Sequence, residues 1–158
     1  MKKLFLILTI LEFSFIVSCE AQNNNIDSSQ ATINGTNVFK TPVSSLLNVF
    51  GEPVSKENFF FEMENTMGKI YYYDKLSFYV KDDKVESFVI EGGQYDFTSD
   101  DININDKIDS LENIYPKSYS NRKNYEIIIQ FSDVDYFISI HYSKENVIKK
   151  NRVIEVST

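Results

Sequence analysis

One succession of residue patterns occurs twice in this chain, and it constrains the fold more than any single motif. Val43, Leu46, Leu47 and Phe50 fall at i, i+3, i+4 and i+7, the apolar stripe of a short amphipathic helix. Thr41-Pro42 reads as a cap followed by proline at the first helical position, and Gly51 with Pro53 ends the helix. Strand-like runs follow at 59–63, 69–73, 75–80 and 84–90, with Asp82-Asp83 as a hairpin turn and Gly92-Gly93 closing the unit. Leu76, Phe78 and Val80 alternate with Ser77 and Tyr79, the period of a half-buried strand. The order then starts again. Asp106 is placed to cap a helix whose stripe is Ile108, Leu111 and Ile114 or Tyr115, stopped by Pro116. Strands are expected at 125–131, 134–142 and 150–156, with Ser132-Asp133 as a turn. The two helix ends, Phe50 and Tyr115, lie 65 positions apart, which points to an internal repeat.

The first nineteen residues follow a different logic. Lys2 and Lys3 precede an apolar stretch from Leu4 to Val17, and Ile16-Val17-Ser18 leads into Cys19, the sole cysteine. A basic start, a short apolar centre and a small residue before the break are the layout of a cleaved secretory signal. A spanning helix needs about 20 apolar residues, and this stretch is shorter and interrupted by Glu12. The ending resembles the lipobox of bacterial lipoproteins. The resemblance implies a lipid on Cys19, a membrane anchored through it, and 140 residues in the mature chain.

With the signal removed, fourteen basic residues face twenty-two acidic ones, a net charge of −8 that argues against nucleic acid or an anionic membrane surface as partner. With Cys19 acylated no thiol is left for a disulfide, a nucleophile or a thiolate metal site. Residues 20–38, rich in asparagine, read as a polar tether. Residues 39–158 form a single domain, with one unit over 39–93 and the other over 100–158. The predicted fold class is α+β: two tandem helix–β-meander repeats, with short helices packed on one face of antiparallel sheet.

Leu46-Leu47, Phe50-Gly51 and Pro53, followed by Ile70-Tyr71-Tyr72-Tyr73, Leu76-Ser77-Phe78 and Lys84-Val85, resemble the SmpA/OmlA-type envelope lipoprotein repeat. The second unit resembles it through Ile104, Asp106, Ile108, Leu111 and Tyr115-Pro116. Two such units in tandem imply the β-lactamase-inhibitor-like fold. The glycine usual before the capping residue is Lys40 in one unit and Asn105 in the other.

Chemistry is sparse. Asp101, Asn103, Asn105, Asp109 and Glu112 occupy positions 1, 3, 5, 9 and 12 of an EF-hand-like calcium loop. Asp106 stands where the loop needs glycine, so no metal is expected. His141 is the sole histidine, too little for zinc or acid–base work. The serines lack a nucleophile setting, and neither a cofactor nor an enzymatic activity is expected.

Aromatic residues are more suggestive. If Ile70, Tyr72, Leu76, Phe78, Val80, Ile127, Ile129, Phe131, Ile138 and Ile140 face the helices, then Tyr71, Tyr73, Tyr79, Ile128 and Phe137 emerge opposite. A solvated antiparallel face should be more polar than this. Tyr71, Tyr73, Tyr79 and Phe137 are therefore the candidate protein-binding face. The expected protein is a non-enzymatic, lipid-anchored envelope protein, with the bacterial outer membrane as its site, that binds another envelope protein. The alternative is a lipid-anchored inhibitor or immunity protein that blocks an enzyme.

Overall fold

A computed structural model describes residues 25–97 and 102–155. Cys19 and Asp101 lie outside them. The fold is α+β, built on two antiparallel sheets with few short helices.

Within the segment read as a tether, residues 26–38 are part of the fold. Ile26, Ala31, Ile33 and Val38 are buried in the core. β1 (Thr32–Ile33) and β2 (Thr36–Asn37) form a hairpin around Asn34-Gly35, both residues at positive φ (50° and 72°). Asn-Gly between two short runs is the strongest local hairpin signal, because only such residues take the left-handed conformation at both central positions at little cost. The polar composition of 20–38 hides it. Ile26 also pairs with Phe131, and Ser132 N–H donates to the Ile26 carbonyl at 2.9 Å.

Helix α1 (Val43–Phe50) follows the expected stripe: Val43 and Leu46 are buried, and the Phe50 ring lies 5.3 Å from that of Phe78. Its start differs from expectation. The Pro42 carbonyl accepts the first helical bonds, while the Thr41 hydroxyl donates back to the Asn37 carbonyl instead of capping. Gly51, at φ 75°, ends the helix as expected.

Four consecutive hairpin-linked strands come next: β3 (Ser55–Phe61), β4 (Thr66–Tyr73), β5 (Leu76–Lys81) and β6 (Lys84–Ile90). Short strands β7 (Asp96–Phe97) and β8 (Ile102–Asn103) join β1 and β2 in the small sheet. A 3-10 turn (Ile108–Ser110) leads into α2 (Leu111–Ile114) and α3 (Pro116–Ser120). Asp106 does not cap this segment; its carboxylate accepts from the Asn103 N–H at 2.9 Å, closing the preceding turn. The last strands are β9 (Glu126–Gln130), β10 (Tyr136–Tyr142) and β11 (Ile148–Glu155). The large sheet runs β3-β4-β5-β6-β11-β10-β9.

The entries to the two helical segments carry the same hydrogen bonds. Lys40 (φ 57°) donates its N–H to the Val85 carbonyl, Val85 N–H returns to Thr41, and Val43 N–H bonds Asp83. Asn105 (φ 80°) donates to Ile148, Ile148 N–H returns to Asp106, and Ile108 N–H bonds Asn146. Lys40 and Asn105 thus stand in the left-handed conformation that glycine favours.

Paired residues in an antiparallel ladder point to one face, so the registers assign the faces. Tyr71, Tyr73, Leu76, Phe78, Phe88, Ile90, Ile127, Ile129, Ile138, Ile140 and Val153 share the inner face, against α1, the small sheet and Leu111. Phe59, Phe61, Ile70, Tyr72, Tyr79, Val89, Arg152 and Phe137 share the outer face. The two meanders meet at a seam where, among the described residues, β6 and β11 form two ladder pairs, Ile90 with Asn151 and Val89 with Arg152. Below it the strands splay, and the Ser87 hydroxyl bridges to the Val153 carbonyl.

Candidate functional site

The seam and the outer face together make a groove of about 450 Å³. One wall is the β3–β4 hairpin, where the Phe59 ring stands edge-on to Phe61 and to Tyr79, at 5.0 Å from each. Gly68 makes this wall possible. A Cβ there would lie 2.5 Å from the Phe61 ring and 2.3 Å from the Val80 carbonyl, so the ring lies across β4 only because the side chain is missing. Phe60, Met63 and Met67 remain exposed at the tip of the hairpin.

Val89 and Ser87 line the floor, and Arg152 and Tyr136 line the far side. Glu86 is the extra residue of a β-bulge: Tyr79 pairs with Ser87 and Val80 with Val85, which turns Glu86 into the splay. The residue is 7% exposed, and its carboxylate accepts from the Tyr136 hydroxyl at 3.0 Å and is ion-paired with Lys40. The Lys40 ammonium lies 4.8 Å from the centre of the Tyr136 ring. A buried carboxylate held this way is fully compensated and forms a fixed base to the groove. The Arg152 Nε is buried without a hydrogen-bond partner.

The candidate face is corrected in part. Tyr79 lines the groove, and Phe137 lies on the same outer face. Tyr71 and Tyr73 point the other way. β4 and β5 are joined by a two-residue turn, Asp74-Lys75, which sets Tyr73 opposite Leu76 and Tyr71 opposite Phe78. Leu76 and Phe78 face the core, so Tyr73 and Tyr71 do too, and Ile70 and Tyr72 fall outside. Sequence reasoning missed Phe59, Phe61 and Arg152.

Tyr73 packs edge-on against Phe78 and Phe50, at 5.7 and 6.2 Å, and donates to the Gly51 carbonyl at 2.9 Å. Burial, helped by Glu52, pushes its phenol up to about 12. An unfolded tyrosine titrates near ~10, so between about 10 and about 12 the unfolded chain sheds its proton first. This contribution to stability is complete below pH ~10 and is lost as pH rises toward 12. Thermal melts across that window should show the decline, and Tyr73→Phe should flatten it.

Two clusters outside the groove resemble chemistry without its geometry. The Ser139 hydroxyl lies 3.0 Å from His141 Nε2, but it donates its proton to Glu126, and Glu126 approaches the same ring nitrogen at 3.6 Å. A nucleophile–base–acid relay needs the acid on the other nitrogen, and Ser139 is fully buried. Burial holds the His141 imidazolium below its usual range, against the opposing pull of Glu126. In the Asn103–Glu112 turn, Asp106 is committed to Asn103, and Asp109 accepts from the Tyr119 hydroxyl at 3.2 Å. Among the described residues no three metal-ligating side chains converge. Calorimetry at submillimolar calcium should give no isotherm; binding that is lost in Glu112→Gln would refute this.

No protein-family model matches the chain, and no curated protein matches it either. Similar solved structures include the following two. One is an extracellular protein containing a SCP domain from Bacillus anthracis str. Ames, 18% identical over 83% of this chain and 47% of that one, with a TM-score of 0.52. The other is a cysteine-rich secretory protein from Staphylococcus aureus subsp. aureus Mu50, 12% identical over 84% of this chain and 49% of that one, with a TM-score of 0.56. The chain spans about half the length of each, and at this level of identity the likeness is one of fold.

Proposed function

We propose that this chain is a non-enzymatic, lipid-anchored envelope protein that binds another protein through the outer face of its large sheet. The observation that carries the reading is the aromatic groove. Phe59, Phe61 and Tyr79 gather on a face that solvent would otherwise keep polar, and exposed Met63 on the hairpin turn extends the groove. Support for a place outside the cytoplasm comes from the signal-like first nineteen residues and from two similar structures described as extracellular and secretory. The resemblance to SmpA/OmlA-type repeats supports an envelope role.

The two helix-plus-meander units are, on this reading, copies of one ancestral unit. The paired hydrogen bonds at Lys40/Asn105, Thr41/Asp106 and Val43/Ile108 support it, each pair being 65 positions apart, the spacing read from the sequence.

Crosslinking and pulldown from the native envelope test the function. Phe61→Ser with Tyr79→Ser should keep the melting profile near that of the parent yet lose the crosslinked partner. Recovery of the same partner by the double variant would refute the reading. Cys19→Ala should leave the signal attached and abolish labelling by a fatty-acid probe; unchanged labelling would refute the anchor.

A further inference from the structure

The groove also carries information about the chemistry of its occupant. Its apolar lining is formed by Phe59, Phe61, Tyr79 and Val89. Two of its three acids are matched: Glu64 is ion-paired with Lys81, and Glu86 is held by Lys40 and Tyr136. Glu62 sits exposed on the hairpin turn. The arginine is not matched. Arg152 lines the groove with its Nε buried and without a hydrogen-bond partner, and among the described residues no carboxylate pairs with it.

An orphaned donor on a half-sunken guanidinium is costly unless an acceptor arrives. The guanidinium is always charged, and its planar fork matches a carboxylate through two parallel hydrogen bonds. Charge on the larger scale narrows the choice. The chain carries a net charge of −7, which repels an acidic tract at long range but tolerates one carboxylate placed on one arginine.

We infer that the groove takes a peptide segment of the partner that ends in a large apolar residue with a free C-terminal carboxylate. The side chain lies on Phe59, Phe61 and Tyr79, and the carboxylate is held by Arg152. A volume of about 450 Å³ is within the range of small-ligand sites and suits one or two side chains. The inference rests on the outer face being the binding surface.

Chemical-shift titration of the full chain with N-acetyl-Leu-Phe and with its C-terminal amide tests it. The free acid should shift Arg152 and Tyr79 resonances saturably and bind at least about tenfold tighter than the amide, about 1.4 kcal/mol. Arg152→Gln should abolish that difference while leaving binding of the amide unchanged, and Phe61→Ser should weaken both. Equal binding of acid and amide overturns the carboxylate assignment and leaves the binding face standing. Octanoate binding more tightly than the peptide overturns the peptide assignment. Failure of both peptides to bind overturns the inference, and the pulldown of the double variant then decides the face separately.

Discussion

Phe88→Ala is expected to destabilise the protein by about 3–5 kcal/mol, the range for truncating a buried phenylalanine. Phe88 is 0% exposed and stands where the two sheets meet, its ring 5.5 Å from Phe97 on the small sheet and 6.4 Å from Phe78 on the large one. Its neighbours are anchored in separate elements, so they cannot close the cavity by one local shift. Urea unfolding should show the midpoint lowered at an unchanged slope. Phe88→Leu, which keeps most of the volume, should cost far less. A loss below about 1 kcal/mol for the alanine variant would mean that the two sheets do not share one core.

The second large effect concerns the N-terminal strap. A chain starting at Phe39 should fail to fold cooperatively. It lacks Ile26, Ala31, Ile33 and Val38, all buried, and uncovers Phe97 and Phe131. At about 1.5–3 kcal/mol for each fully buried aliphatic side chain, Ile26, Ile33 and Val38 alone contribute about 5–9 kcal/mol. A domain of this size has only about 5–15 kcal/mol in hand. Circular dichroism and thermal melting of the shortened chain decide the matter. A sharp melt close to that of the parent would restore the tether reading.

Much of the core was legible because its alternation is unambiguous. Leu76-Phe78-Val80, Ile127-Ile129 and Ile138-Ile140 leave one possible phase, and all are buried. The run Ile70-Tyr71-Tyr72-Tyr73 leaves two, since tyrosine suits either face. Its phase comes from elsewhere: a two-residue turn at Asp74-Lys75 fixes β4 by β5, and recognising that turn would have turned Tyr73 inward. The hairpin at Asn34-Gly35 was present in the sequence as a turn signal but masked by its polar neighbours. The groove was less legible still. Phe59 and Phe61 belong to a strand that could be read, but Arg152 comes from a strand that begins 58 positions beyond the end of β6, and the bulge that turns Glu86 inward leaves no periodic trace.

The strap has a further consequence for the order in which this fold can be assembled. The hairpins of each meander join neighbours in sequence, so their loops close at small entropic cost. Ile26 instead meets Phe131, 105 positions away. Synthesis runs from the N-terminus, and contacts cannot form before both partners exist. Ile33 can pair with Phe97 early, but Ile26 must wait for Phe131, so the first described segment of the chain completes its docking only after most of the large sheet has been made.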